Sequence, residues 1–326
     1  MAGLALTCSV AWGCGSGAAS SADQGAAGQA GASGNPDGSG PLSCRGLPAT
    51  CGATSDANCC ASVLVPGGAF NRFNDVMYPA TVSDFSLDTY EITVGRFRKF
   101  VEVYAPSMTS AGAGKNPNNP SDPGWDPSWN AKLPADRAAL LEAIDCSQPY
   151  ATWHGLNANR PMNCLSWYEA NAFCIWDGGR LPTLAEWNYA AVGGNEQRPF
   201  AWGPNAPEAN ATLAVIGSYY RGAIGANETD LQVIAPVGSI PAGNGKWGHS
   251  DLIGNVAEWA LDSANDFPVP CADCAGLKAD LNRSQNGGHF NSVEGYNLSL
   301  AKHSNYTATL HDDYHGARCV RSPTLP

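Results

Sequence analysis

The chain has 326 residues, of which 29 are acidic and 18 are Lys or Arg, so its formal net charge is −11. This balance, without any cluster of basic side chains, argues against a nucleic-acid partner, because a phosphate backbone is bound by grouped Lys and Arg. Twelve cysteines indicate an oxidising compartment, and no apolar run reaches the roughly 20 residues of a membrane helix.

Residues 1–43 combine a short apolar run with a linker. The opening stretch, MAGLALTCSVAWGCGSG, ends in small residues as a secretory signal does, although no Lys or Arg precedes it. Its AWGC segment resembles a bacterial lipobox, which makes Cys14 a candidate lipidation site; Cys8 is a weaker one, and a plain signal fragment is the alternative. The following Gly-, Ala- and Ser-rich residues cannot bury a core and predict a flexible tether. We expect an exported protein, either a cell-envelope lipoprotein tethered to the membrane or an extracellular protein.

A short Cys-rich segment, residues 44–62, precedes the main domain, residues 63–326. It contains Cys44, Cys51, Cys59 and Cys60. These four cysteines do not form two Cys-x-x-Cys pairs, as a zinc site of this kind would require. The segment therefore predicts a small disulfide knot.

The first part of the domain changes its hydrophobic period. Alternating apolar residues at Val82, Phe85 and Leu87 predict a pair of strands, and Thr93 predicts the N-cap of a helix. The apolar face of this helix recurs at Val94, Phe97, Val101 and Tyr104. Residues 105–162 are rich in Pro, Asn and Trp, and predict a long ordered loop around one short helix in PADRAALLEAI.

Two capping boxes predict the next two helices. Ser166 with Glu169 starts one, which the Gly178–Gly179 pair ends, and Thr183 with Glu186 starts the other. In each box the hydroxyl accepts from an unpaired backbone N–H and the carboxylate accepts from the N–H of the cap itself. Glu169 and Glu186 therefore have a structural role rather than a catalytic one. Short strands and loops are expected beyond residue 195.

Five blocks of sequence carry a family resemblance. They are CLSWYEANAFCIWDGGRLPTLAEWNYAAVGG, PFAWG, APVGSIPAGNGKWGHSDLIGNVAEW, NGGHF and HGARC. Together they resemble the sulfatase-modifying-factor family, whose founding member is the formylglycine-generating enzyme, over most of residues 63–326. The resemblance implies an α+β domain that is a variant of the C-type-lectin fold, disulfide-bonded and low in regular secondary structure.

The resemblance implies one disulfide, between Cys174 and Cys319. Two further pairings are open to the remaining cysteines. Cys271 is close enough in sequence to Cys274 to pair with it, and Cys146 with Cys164 is a plausible pair, but sequence does not fix either.

The resemblance also implies calcium. In the family, the loop that corresponds to DLIGNVAE holds the ion through Asp251, the carbonyls of Gly254 and Val256, and Glu258. Hard oxygen donors on a tight turn suit calcium; the alternative is that the two acids only hydrogen-bond the turn. A second family site corresponds to Asn210 and Asp230.

This sequence lacks the residues that bind copper in the family. Its oxidases hold copper(I) with two thiolates after the Gly-Gly turn, and the corresponding residues here are Ser292 and Asn297. A hydroxyl and an amide are hard, neutral donors that do not replace a thiolate pair. The usual serine after the glycines is His289, and the usual Trp of the calcium loop is Ala257. We expect calcium as a cofactor and no copper.

Other metal or nucleophilic chemistry has weaker support. The segment AKHSNYTATLHDDYHGARC could supply iron or zinc with two imidazoles and a carboxylate, from His303, His311, His315, Asp312 and Asp313. His311 and His315 would share a face only on a helix, so exposed loop histidines are the favoured interpretation. Ser292 and His289 do not make a triad, because no orienting carboxylate is evident.

Three functional hypotheses follow. The first is a calcium-stabilised binding or interaction module for a protein, peptide or glycan ligand, without oxidase activity. The alternative is a protein-modifying oxidoreductase, either a formylglycine-type enzyme or a non-haem iron oxidase, with non-standard metal ligands. The third is a purely structural envelope lipoprotein that binds no ligand. Lectin-like scaffolds that carry variable loops suit the first hypothesis.

Overall fold

The computed structural model describes residues 40–146, 150–206, 213–217, 233–278, 280–292, 298, 300 and 303–323. The strands in this part of the chain are short: β1 Ser62–Val65, β2 Gly68–Asn71, β3 Pro79–Val82, β4 Phe85–Asp88, β5 Ala257–Ser263, β6 Cys271–Ala272, β7 Asn282–Asn286, β8 Ser304–Thr307, β9 His315–Gly316 and β10 Val320–Arg321. Its α-helices are α1 Val94–Val103, α2 Arg137–Ala143, α3 Trp167–Trp176 and α4 Leu184–Ala191. Loops and short 3₁₀ helices connect them, as the sequence predicts for residues 105–162 and beyond 195.

The strands form three small sheets, with the orders β1-β4-β10, β2-β3-β6 and β8-β7-β5-β9. The predicted pairing of the strand that contains Val82 with the strand that contains Phe85 and Leu87 is wrong, because β3 and β4 lie in different sheets. All four residues of β4 are buried, so this strand needs a neighbour on each side. Leu87 is opposite Val63 of β1 and Val320 of β10.

Helix α1 forms as its sequence predicts. The Thr93 side chain accepts a hydrogen bond from the N–H of Arg96 and caps the helix. Its apolar face is buried, and Phe97 stacks on Phe173 of α3 with the ring centroids 5.6 Å apart. The two helices therefore share the larger core of the domain.

Both predicted capping boxes are present. In α3, Ser166 Oγ accepts from the N–H of Glu169, and the Glu169 carboxylate accepts from the N–H of Ser166. Thr183 and Glu186 make the same exchange at α4. Glu186 also receives a two-pronged ion pair from Arg180, and both side chains are buried. The carboxylates thus fix where these helices begin.

A buried network of two Arg and two Asp side chains links the two ends of the domain. Arg96 binds Asp88 at 2.8 Å and Asp177 at 2.7 Å, and the latter also binds Arg321 at 2.7 Å. Arg321 contacts Asp88 as well, which makes a closed ring of alternating charges. The ring joins β4, α1, the end of α3 and β10.

The ten cysteines in the described part of the chain form five disulfides, Cys44–Cys60, Cys51–Cys59, Cys146–Cys164, Cys174–Cys319 and Cys271–Cys274. The structure thus contains the bridge that the resemblance implies, together with the two pairings that the sequence left open. The first two bridges make the knot expected in residues 44–62. Five bridges agree with an exported protein. Across the described part of the chain, no helix has both the length and the apolar character to cross a bilayer.

Candidate functional site

The candidate site begins at the glycine turn after β7. Gly287 and Gly288 have φ angles of 88° and 67°, which non-glycine residues rarely adopt. A Cβ on Gly287 would lie 2.8 Å from the carbonyl oxygen of Leu252. The Gly287 carbonyl accepts from the N–H of Gly254 at 2.9 Å, so the turn is attached directly to the loop that corresponds to the family's calcium loop.

The next residues form a tight turn that uses the Ser292 hydroxyl internally. Ser292 is 2% exposed, and its Oγ accepts a hydrogen bond of 3.0 Å from the N–H of His289. The N–H of Ser292 donates to the carbonyl of His289 at 2.8 Å. This hydroxyl is thus part of the turn rather than a free ligand or nucleophile. Asn297, the second family position, lies outside the described residues.

An aromatic platform, which we define as Tyr150, His289, Phe290 and Tyr314, lies beside this turn. The imidazole of His289 packs on Tyr314 with centroids 4.0 Å apart, and Phe290 lies 5.5 Å from both Tyr314 and Tyr150. His289 Nδ1 accepts from the N–H of Asn291 at 3.3 Å. Burial, and secondarily the charge of His315, lower the pKa of His289 to about 4. The platform therefore presents a neutral imidazole at pH 7.

The loop 251–258 is hydrogen-bonded to the platform and helps to fix its position. Asp251, Gly254 and Asn255 all have left-handed backbone conformations, which fold the loop tightly. The carbonyl of Asn255 accepts from the N–H of Phe290 at 2.8 Å, and its side chain donates to Glu91 at 2.8 Å. A displacement of this loop would therefore move the platform.

Three buried carboxylates surround this loop. Asp251 accepts from the N–H of Gly238 at 2.6 Å. Glu258 accepts from Arg318 through both oxygens, at 2.6 and 2.7 Å, and from the indole N–H of Trp187 at 2.8 Å. Sequence reasoning missed the third, Glu91, whose oxygens accept from Asn255 and from the N–H of Val256. The only local signal for Glu91 was a lone acid between an aromatic and a β-branched apolar residue in the segment TYEITV.

This group carries more negative than positive charge. Within the described part of the chain, the guanidinium that interacts electrostatically with Glu91, Asp251 and Glu258 is that of Arg318. Burial raises the pKa of Asp251 to about 6. Burial, together with the charges of Asp251 and Glu258, raises the pKa of Glu91 well above its usual range. A divalent cation would relieve this excess, so the chemistry of the donor set fits calcium.

The arrangement does not offer a metal site made of side chains alone. Within the described residues, no group of three or more His, Cys, Asp or Glu side chains is placed to hold a metal ion. The expected calcium set has two such side chains, Asp251 and Glu258, and completes its donors with the carbonyls of Gly254 and Val256. The second expected pair, Asn210 and Asp230, and the candidate lipidation site, Cys14, lie outside the described residues.

The C-terminal histidines do not converge, so the hypothesis of an iron or zinc set among them is wrong. His311 binds the Glu169 carboxylate at 2.9 Å. His315 is buried against Trp259, with ring centroids 4.7 Å apart. His303 packs on Phe73 in a separate aromatic cluster, with centroids 5.0 Å apart.

The interpretation of these histidines as exposed loop residues is also wrong. Asp312 Oδ1 lies 2.5 Å from His315 Nδ1, but neither ring nitrogen of His315 makes a hydrogen bond within the described part of the chain. Asp313 is buried and accepts through its backbone carbonyl from Asn163. All three imidazoles are packed against other elements and have structural roles. Because these contacts are distant in sequence, the local pattern did not reveal them.

The fold defines the class of protein. Two solved structures share it. Treponema denticola variable protein 1 matches with a TM-score of 0.53 and 18% identity, over 81% of this chain and 95% of that one. PvdO from Pseudomonas aeruginosa matches with a TM-score of 0.53 and 18% identity, over 81% of this chain and 94% of that one. The domain is a formylglycine-generating-enzyme-like variant of the C-type-lectin fold.

Sequence comparison establishes the family. Residues 49–323 match the sulfatase-modifying factor enzyme 1-like domain. Formylglycine-generating enzyme of Mycobacterium tuberculosis is 30% identical over 309 residues, covering 80% of this chain and 97% of that protein. Inactive C-alpha-formylglycine-generating enzyme 2 of Bos taurus is 29% identical over 223 residues, covering 60% and 69%. The chain belongs to the sulfatase-modifying-factor family.

Proposed function

We propose that this chain is an exported family member without copper-dependent cysteine oxidase activity, and that it acts as a calcium-stabilised binding module. The observation that carries the proposal is Ser292 at the first copper-thiolate position, with its hydroxyl committed to the backbone of His289. Every cysteine in the described part of the chain is disulfide-bonded, so that part offers copper(I) no thiolate. A relative named as inactive agrees with a non-catalytic role.

The aromatic platform is the proposed binding surface. His289 and Tyr314 are partly exposed and in contact, with their ring planes tilted by 32°, and Asn291 beside them is exposed. Uncharged rings with a neighbouring amide suit stacking on the apolar face of a sugar or on a peptide side chain. We expect binding on glycan or peptide arrays to be lost in Y314A and retained in Y306F, a change at a Tyr outside the platform. Equal binding by both variants would contradict this assignment.

Calcium would be held by Asp251, Glu258 and the carbonyls of Gly254 and Val256. It would offset the buried negative charge and stiffen the loop that supports the platform. We expect calcium to raise the unfolding temperature relative to chelator; at 100 times the dissociation constant the gain is about 2.7 kcal/mol. D251A, which removes the side-chain oxygen donors, should abolish this gain, whereas E102Q, which removes an exposed charge on α1, should retain it. A wild-type chain that chelator leaves unchanged would contradict the calcium proposal.

Export is proposed in one of two forms, a lipoprotein acylated at Cys14 or an extracellular protein. The five disulfides support an oxidising compartment, which both forms share. Metabolic labelling with a fatty acid, compared between wild type and C14S, separates the two. Label that is lost in C14S indicates the lipoprotein, and its absence from wild type indicates the extracellular form.

The missing oxidase activity is tested directly. The chain is loaded with copper(I) and incubated under air with a peptide that contains Cys-x-Pro-x-Arg, and mass spectrometry follows conversion of the peptide cysteine to an aldehyde. We expect none, while a formylglycine-generating enzyme under the same conditions converts the peptide. The double variant S292C/N297C tests whether thiolates alone restore copper binding. Aldehyde formed by the wild type would refute the proposal.

A further inference from the structure

Cys271 and Cys274 form a disulfide within the segment Cys-Ala-Asp-Cys, at a sequence separation of 3. The other described bridges join cysteines 8 to 145 positions apart. Because a bridge constrains the unfolded chain less as its loop shortens, this one contributes least of the five to stability. Cys-x-x-Cys is also the spacing of sites that exchange disulfides with other proteins.

A buried guanidinium lies against this bridge. Arg72 is 0% exposed, and its Nη1 lies 3.8 Å from Sγ of Cys274. Its Nη2 donates to the carbonyl of Pro268, and its Nε has no partner among the described residues. Burial lowers the pKa of Arg72, and the charge of Asp262 opposes this only in part.

Among the described residues, Arg72 therefore lacks an anion at ion-pair distance, and the charge of Asp262 acts on it only from farther away. No carboxylate in the described part of the chain forms an ion pair with it, and a buried cation without a paired anion is costly. Reduction of the bridge would create that anion, because a Cys274 thiolate would lie next to the guanidinium. A positive neighbour lowers the pKa of a thiol and stabilises the reduced form.

The two sulfurs differ in accessibility. Cys271 belongs to β6 and is 3% exposed in the core, whereas Cys274 is partly exposed. The loop between them is fixed independently of the bridge, because the Asp273 carboxylate accepts from the N–H and the hydroxyl of Ser83 at 2.6 and 2.7 Å. Reduction would therefore leave Cys274 accessible and Cys271 close behind it.

We propose that Cys271 and Cys274 form a dithiol–disulfide exchange site that oxidises cysteine pairs in other exported proteins. A thiolate of the partner protein attacks Sγ of Cys274, the Cys271–Cys274 bond breaks, and Cys271 leaves as a thiolate that takes up one proton. The second partner thiolate then attacks the partner sulfur of the mixed disulfide. Cys274 is released as a thiolate beside Arg72. The partner loses two electrons and two protons, of which one proton passes to solvent.

The surroundings suit a cysteine-bearing segment that is not yet folded. Phe73 and Phe267 pack on each other beside Arg72, with centroids 5.5 Å apart, and Val269 is 52% exposed. An open groove of about 380 Å³ continues from there and is lined in part by Pro270 and Cys271. These apolar surfaces would hold extended residues on either side of the partner cysteine.

Equilibration of the native full-length chain with glutathione buffers, followed by alkylation and mass spectrometry, tests the proposal. We expect the Cys271–Cys274 pair to be reduced under conditions that leave Cys174–Cys319 oxidised. R72M should shift the equilibrium about tenfold towards the disulfide, equivalent to about 30 mV for a two-electron couple. R72K should restore part of that shift, and R45M, at an exposed Arg beside another bridge, should have none.

A second measurement does not depend on the folding of an Arg72 variant. In C271S, Cys274 is a free thiol, and the ultraviolet absorbance of its thiolate should titrate well below the value of about 8.5 for free cysteine. C271S should also form a mixed disulfide with a cysteine peptide, whereas C274S should not, because Cys271 is buried. A bridge that is reduced only on unfolding, or a Cys274 that titrates at the free value, would overturn the proposal.

Discussion

Removal of the Cys174–Cys319 bridge should cost more stability than removal of a bridge with a shorter loop. These cysteines are 145 positions apart, whereas Cys146 and Cys164 are 18 apart. The loop-entropy relation gives about 5 kcal/mol for the first pair and about 3 kcal/mol for the second. The physical reason is that cutting the longer loop frees about half of the domain in the unfolded ensemble.

Double Cys-to-Ala variants of these two pairs provide the test, with guanidinium unfolding as the assay. Cys174, Cys319 and Cys164 are all 0% exposed, so the loss of sulfur packing affects both variants and the difference of about 2 kcal/mol reports mainly loop length. The dependence on denaturant should also steepen more for C174A/C319A, because its unfolded chain exposes more surface. Equal losses in the two variants, or a larger loss for the short loop, would refute the entropic argument.

Two further predictions concern charges at the helix starts. E186Q leaves the buried Arg180 without its carboxylate and should cost about 3–5 kcal/mol in denaturant unfolding. E196Q removes two partly exposed ion pairs, with Arg198 and Lys246, and should cost less than about 1 kcal/mol for each pair. Similar costs for the two variants would contradict this reasoning. Although burial acts to lower it, the hydrogen bond and charge of Glu169 raise the pKa of His311 above 6.5. The stabilisation that the His311–Glu169 pair contributes is therefore complete below pH 6.5 and is lost as pH rises through the folded-state pKa of His311. H311Q should reduce the decline of stability above pH 6.5. An unchanged decline would count against this pair.

Local sequence determined the features that depend on neighbouring residues. Ser166 with Glu169, and Thr183 with Glu186, fix helix starts because a hydroxyl and a carboxylate three positions apart satisfy each other's backbone groups. The family blocks identified the fold, and a single residue type, Ser at position 292, is the basis of the proposal that copper-dependent oxidase activity is absent. None of these conclusions requires knowledge of distant contacts.

Only the tertiary structure determined the contacts between distant residues. Glu258 meets Arg318 across 60 positions and Glu91 meets Asn255 across 164, so the charge balance of the expected calcium loop is not visible in DLIGNVAE. The contact between Arg72 and Cys274, which are 202 positions apart, is likewise not visible in the local sequence. This contact makes the short Cys271–Cys274 bridge a candidate redox site. Sequence periodicity indicates which side of a helix or strand is buried. A charged side chain can be buried at tolerable cost only when it has a partner of opposite charge. The sequence pattern does not identify that partner, because only the tertiary fold brings the two residues together.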